Sequence, residues 1–294
     1  MTLFKLAALC AALASTPALA QNAPDMGKLL ATGGVSQVEG AAGGGLTPWA
    51  LIAGYGTRDS YGANAHYTNV ATQDYRLATS GVAVGLADRV ELSFARQDFT
   101  GSLSPLNNLK IRQDVFGLKV KLAGDAVYGQ DSALPQIAVG AMVKRNKGIK
   151  GLEGLGITRA TGLGAKDNNG VDLYVSATKL LLSHSLLVNG TLRYTKANQM
   201  GLLGFGGDKG DKREAMLEGS VAYLLNRQWV AGLEYRMKPR NLGVDPEKDY
   251  YDAFVAWFPN KHFSVTAAYA VLGDITVFNP KRQRGLYLSV QAGF

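Results

Sequence analysis

Three absences narrow the reading of this 294-residue chain. Its one cysteine, Cys10, sits inside the opening stretch MTLFKLAALCAALASTPALA, which has a lysine at Lys5, a short apolar run and Ala18-Leu19-Ala20 at its end. That arrangement predicts a secretory signal over residues 1–20, cleaved after Ala20. Leu9 before Cys10 is not small, so a lipoprotein signal is excluded, and the exported chain then has no disulfide and no cysteine-held metal. After the signal no apolar run approaches the ~18 residues of a membrane-crossing helix. Histidines number only 3 and no metal-ligand spacing occurs, so neither a metal nor any other cofactor is expected.

Lys5 is one of 31 Lys and Arg residues; without it 30 face 23 Asp and Glu, a net charge of +7. In an exported protein such a surplus suits anionic headgroups or solutes, and no nucleic-acid partner is expected. The chain has 36 glycines, 13 tyrosines and only 9 prolines, a composition that leans to antiparallel β-structure.

Residues 21–45 are small and glycine-rich, and read as a periplasmic lead segment or as a plug folded back into a lumen. From 46 to 294 period-two stretches follow one another, about twelve of them: 47–57, 75–86, 90–99, 110–122, 135–145, 171–181, 186–196, 213–224, 229–238, 250–258, 262–271 and 285–294. In FGLKVKL, Phe116, Leu118, Val120 and Leu122 oppose Gly117, Lys119 and Lys121; such strict alternation marks a strand with two unlike faces. The connections alternate too. Residues 87–89, 182–185, 225–228 and 259–261 are short, whereas 58–74, 146–170, 197–212, 239–249 and 272–284 are long, with 123–134 breaking the rule. Short turns on one rim and long loops on the other predict an all-β, antiparallel up-and-down transmembrane barrel.

A soluble barrel turns its apolar face inward and a membrane barrel outward. Here the polar face is mostly Gly, Ala, Ser and Thr with sparse charges, which fits a narrow lumen. Trp49, Tyr223, Trp229, Trp257, Phe258 and Phe263 fall near strand ends, as an interfacial girdle requires. The expected location is the outer membrane of a Gram-negative bacterium. Alternation also points Glu91, Lys119, Lys121, Lys144, Asp172, Arg193, Glu218, Glu234, Arg236 and Lys238 into the lumen. They would serve either as the lining of a selective pore or as ion pairs that close a narrow barrel.

The terminal LYLSVQAGF resembles the last strand of bacterial outer-membrane proteins, whose final aromatic is read by the barrel assembly machinery; Phe294 would be that signal. LLATGGVSQVEGAAGGGLTPWALIAGYGTRDSYG, GLADRVELSFARQDF, DVFGLKVKLAGDAVYGQD and LPQIAVGAMVK resemble a family of proteobacterial outer-membrane proteins, domain of unknown function 3034. The resemblance spans most of the exported chain and implies location and fold, without an activity.

The lead expectation is a narrow porin-like channel passing or binding small solutes; the alternative is a non-conducting structural or surface-interaction barrel. An enzyme ranks third. His184 and His262 fall in turns, and His66 with Thr68 falls in a loop, a poor version of a nucleophile and its base. The glycine-rich stretches at 154–164 and 204–210 lack the Gly-Lys-Ser/Thr of a phosphate loop. Lys147, Lys150, Arg159, Lys166, Lys209 and Lys212 instead suit contacts to lipopolysaccharide phosphates in the outer leaflet, alongside the membrane lipids.

Overall fold

The computed structural model describes residues 27–102 and 106–294; the expected signal segment and its cleavage site lie outside them. Two short strands, β1 (Val35–Ser36) and β2 (Ala42–Gly43), form a small hairpin. Twelve longer ones form a closed antiparallel barrel: β3 (Tyr61–Thr72), β4 (Tyr75–Leu86), β5 (Val90–Gly101), β6 (Lys110–Ala123), β7 (Gln136–Lys150), β8 (Asn169–Leu181), β9 (Leu186–Thr195), β10 (Glu214–Leu224), β11 (Trp229–Arg236), β12 (Tyr250–Asn260), β13 (Phe263–Gly273) and β14 (Gln283–Gly293). Every strand pairs with its sequence neighbours, and β14 closes on β3 from Gly285 opposite Thr72 to Gly293 opposite Asn64. Closure leaves no unpaired edge, which hydrocarbon would penalise at several kcal/mol per backbone group.

Why these strands form is visible in their two faces. Leu92, Leu118, Leu173, Val175, Leu233 and Leu288 are exposed on the outside, while Glu91, Lys119, Asp172 and Glu234 are buried on the inside. The apolar face points out, the inverse of a soluble barrel. Near one rim Trp229 and Trp257 stack on the exterior, ring centroids 5.9 Å apart.

The connections sort onto two rims. The turn rim carries 87–89, 124–135, 182–185, 225–228 and 261–262, together with Phe294; the loop rim carries 73–74, 106–109, 151–168, 196–213, 237–249 and 274–282.

One expected strand is not a strand. Residues 47–56 of it lie inside the barrel, and the first wall strand is instead β3, within what the sequence marks as the long loop 58–74. The barrel wall therefore begins at Tyr61 rather than near residue 46, and the count of twelve survives because one strand replaces another. The outward residues of β3 are Tyr61, Ala63, Ala65, Tyr67, Asn69 and Ala71, too small and mixed to announce a lipid face. The girdle loses two members: Trp49 belongs to the interior segment, and Phe258 lies on the inward face of β12 next to the outward Trp257, leaving them 4% and 3% exposed.

Candidate functional site

Buried polar side chains concentrate in the lumen, and the lumen is occupied by the chain itself. Every residue from 32 to 56 is buried within the barrel. This insert enters and leaves at the turn rim. At its start Lys28 Nζ lies 2.8 Å from Asp88, which Lys121 also meets at 2.7 Å. At its exit the Tyr55 amide donates to the Phe294 carbonyl oxygen at 3.0 Å.

Between those points the backbone of the insert pairs with itself only in the short β1–β2 hairpin and a few turns, and side chains of the wall satisfy much of the remainder. Glu91 on β5 accepts the amides of Ala42 (3.1 Å) and Ala53 (2.9 Å), and Lys119 on β6 donates to the carbonyls of Ala42 and Leu51, both at 2.8 Å. Glu91 and Lys119 also pair with each other at 3.1 Å. Across the lumen Glu234 on β11 accepts from Gly45 N (2.5 Å), Leu46 N (2.8 Å), Thr47 Oγ1 (2.6 Å) and Ser220 Oγ (2.9 Å). Gln97 Nε2 donates to Val38 O (2.8 Å), Gln136 Nε2 to Ala50 O (2.7 Å) and Thr191 Oγ1 to Pro48 O (2.8 Å). Toward the turn rim the contact turns apolar. Trp49 and Leu51 face Leu180, Leu187, Val230 and Phe254 around a cavity of about 30 Å³, room for about one water.

The tip of the β1–β2 hairpin carries Glu39. Gly40 turns the chain there with φ +98°, a conformation that favours glycine. Glu39 meets Lys144, whose Nζ contacts Oε1, Arg236 (2.8 Å) and Arg193 (3.4 Å). These cations belong to a row of five inward charges, one per strand and alternating in sign: Lys144 on β7, Asp172 on β8, Arg193 on β9, Glu218 on β10 and Arg236 on β11. Lys144 pairs with Asp172; Arg193 pairs with Asp172 (3.4 Å) and with Glu218, which Arg236 meets at 3.3 Å.

Above this row the loop 196–213 dips into the lumen. Met200 O accepts from Lys144 Nζ and from Gln113 Nε2, each at 3.1 Å. Gln199 holds the loop to its neighbours: its amide donates to Glu247 (2.7 Å), its Nε2 to Asp245 Oδ1 (2.9 Å), and its Oε1 accepts from Lys238 Nζ (3.3 Å) and from Tyr250 OH. Lys238 lies just past β11 and pairs with Glu247 at 2.7 Å. Burial, and then the neighbouring Glu247 carboxylate, push the Asp245 acid up to about 9.

Nine of the ten charged residues singled out by alternation are therefore buried toward the lumen; Lys121 sits lower, half-buried at the turn rim. Glu218 and Arg236 come together, whereas Glu234 turns to the insert. Glu39 itself had no strand pattern to announce it. Its signal was that it is the only Asp, Glu, Lys or Arg in residues 32–56. His66 is corrected from loop to strand, buried in β3, and the hydroxyl of Thr68 is bonded to Ser289 at 2.8 Å rather than to a base. His184 Nδ1 meets Ser183 Oγ (2.9 Å), and His262 Nδ1 meets Gly293 O (3.1 Å). Among the basic residues of the loop rim, Lys147 reaches Asp114 at 3.4 Å.

Residues 32–291, which take in the insert and nearly the whole wall, match the family described as "Protein of unknown function (DUF3034)". The chain belongs to the DUF3034 family. Among solved structures, the NanC porin is 10% identical with a TM-score of 0.52, covering 78% of this chain and 98% of that one. The KdgM porin is 9% identical with a TM-score of 0.49, over 79% and 99%. Outer membrane phospholipase A from Escherichia coli is 10% identical with a TM-score of 0.41, over 82% and 98%. The likeness to NanC is one of fold, that of an outer-membrane barrel. No curated protein sequence matches this DUF3034 chain.

Proposed function

We propose that this protein is a porin-like pathway for small solutes in the Gram-negative outer membrane, held shut by its own residues 32–56 and opened when they withdraw toward the turn rim. The observation that carries this is how the lumen is filled. A barrel built only to seal can close with large wall side chains. This wall, beside large inward groups such as Arg193 and Tyr287, presents Ser176, Thr178, Thr191, Ser220 and Gln97 around a space that a separate segment occupies. Ser176, Thr178, Thr191 and Gln97 bond the insert's backbone and Ser220 bonds the side chains of Thr47 and Trp49, and water can take the insert's place at each of them.

Planar-bilayer recordings test the reading. The refolded full chain should be silent, and a variant lacking residues 27–56 should carry a steady current. A folded variant that stays silent would overturn it in favour of a non-conducting surface barrel. That second reading draws on the loop rim, where the loops grip one another; the Gly243 amide donates to Asp208 at 2.6 Å.

Phe294 fits the role of an assembly signal: its ring is exposed at the turn rim, edge-on to Tyr61 at 6.1 Å. Contact of the loop rim with lipopolysaccharide phosphates remains part of this reading, supported by the exposure of Arg159, Lys166 and Lys209.

A further inference from the structure

The row of wall charges does not balance by itself. Lys144, Arg193 and Arg236 are three cations against the two carboxylates of Asp172 and Glu218, and all five side chains are buried. A surplus buried charge is costly unless paired. What pairs it is Glu39, the sole charged residue of the 25 that fill the lumen. The insert delivers it on a hairpin tip, Gln37 N bonding Ala41 O at 3.0 Å and Gly40 N bonding Gln37 O at 2.9 Å. One carboxylate oxygen faces Lys144 and the other faces Arg193 and Arg236. Two guanidinium groups and an ammonium converging on one carboxylate form a receptor for that group, and guanidinium suits it in shape as well as charge.

We propose that Glu39 occupies a binding site for small organic carboxylates, and that Lys144, Arg193 and Arg236 hold the carboxylate of such a solute when the insert moves away. The assignment rests on the insert being displaceable, as the pathway reading has it. The two events are then linked. Withdrawal of Glu39 uncovers an unpaired buried cation, and a carboxylate solute relieves it, so the solute favours the open arrangement by its preference for that state. A neutral solute of the same size has no such preference. The ring of Tyr174, 5.6 Å from the Arg193 guanidinium, walls the same site.

Titration calorimetry on the detergent-folded full chain tests this with gluconate as probe and glucose as its uncharged counterpart. Glu39→Gln removes the resident carboxylate and should bind gluconate about tenfold or more tighter than the unaltered chain, the scale of one charge-assisted contact. Glucose should bind to neither. Glu39→Gln combined with Arg236→Gln rebalances the row and should lose the gain. If Glu39→Gln refolds poorly because of the surplus cation, about 0.1 M gluconate, and not glucose, should restore the folded yield by mass action. Equal binding of gluconate to both chains, or a failure of rescue, overturns the site. Binding in detergent needs no conduction, so silent bilayers with gluconate binding sink the pathway and keep the site, while conduction without binding does the reverse.

Discussion

Glu91 and Lys119 lie 3.1 Å apart on neighbouring strands, and both also hold the insert, the carboxylate taking two of its amides and the ammonium two of its carbonyls. One ion pair thus fastens the barrel wall to the segment that fills it. Removing one partner leaves a buried charge unpaired, at a cost of about 3–5 kcal/mol. Glu91→Gln and Lys119→Met should each lower the thermal midpoint of heat-modifiable gel mobility, and the double variant should lower it by less than the sum of the two. Additive losses would mean that the two residues act independently of each other.

Gly43 tests the fit of the insert by shape alone. A Cβ there would fall on the Thr47 carbonyl oxygen and come within 2.9 Å of Pro48 Cα. Both are backbone atoms with little room to move. Gly43→Ala should leave the wall intact but loosen the insert, read as faster protease cleavage between residues 27 and 56 in otherwise heat-modifiable protein. Unchanged cleavage would show that the insert tolerates far more repacking than its contacts suggest.

The cap at the loop rim should depend on pH through Asp245. Its acid form is favoured by burial and by Glu247, with a folded value of about 9, above the ordinary carboxylate range of about 4. A raised value means that the folded loop binds its proton more tightly than the unfolded one does. That contribution is complete below about pH 4 and is lost as pH rises through about 9. Protection factors for amide exchange in residues 237–249, taken relative to the intrinsic rate at each pH, should therefore fall across this window. Asp245→Asn, which keeps the acceptor for Gln199, should flatten the dependence; a profile identical to the parent's would assign it elsewhere.

Phe294 offers two separable contributions. Its carbonyl and amide bond Tyr55 and Ala63, and its ring is exposed beside Tyr61. Phe294→Asp preserves the backbone bonds and alters only the ring. If assembly factors read the aromatic, this variant should accumulate less in the outer membrane of cells while refolding normally in detergent. Normal insertion in cells would remove the signal role.

Much of the wall was legible in the sequence because each strand residue faces one of two surroundings. Leu118 meets the exterior and Lys119 the lumen, and the period of two follows from that alternation alone. The alternating connection lengths were equally local, since an up-and-down path returns to the same rim every second strand. Spacing alone points Glu91, Lys144, Asp172 and Arg193 inward, where the fold buries them.

Pattern could not say what a face would meet. Residues 47–56 carry Trp49, Leu51 and Ala53 in strand-like alternation, yet they fill the lumen, where Trp49 Nε1 donates to Ser220 at 2.9 Å. Residues 61–72 look like a loop and form a wall strand, because closing the barrel against β14 requires a partner there and Thr68 meets Ser289. Glu39 is the plainest case. In the sequence it is one acid in a glycine-rich tract; in the fold it faces three cations from strands β7, β9 and β11, more than 100 residues away. Local spacing fixes which side chains share a face, whereas charge pairing inside a closed barrel depends on which distant strands the closure brings around one axis.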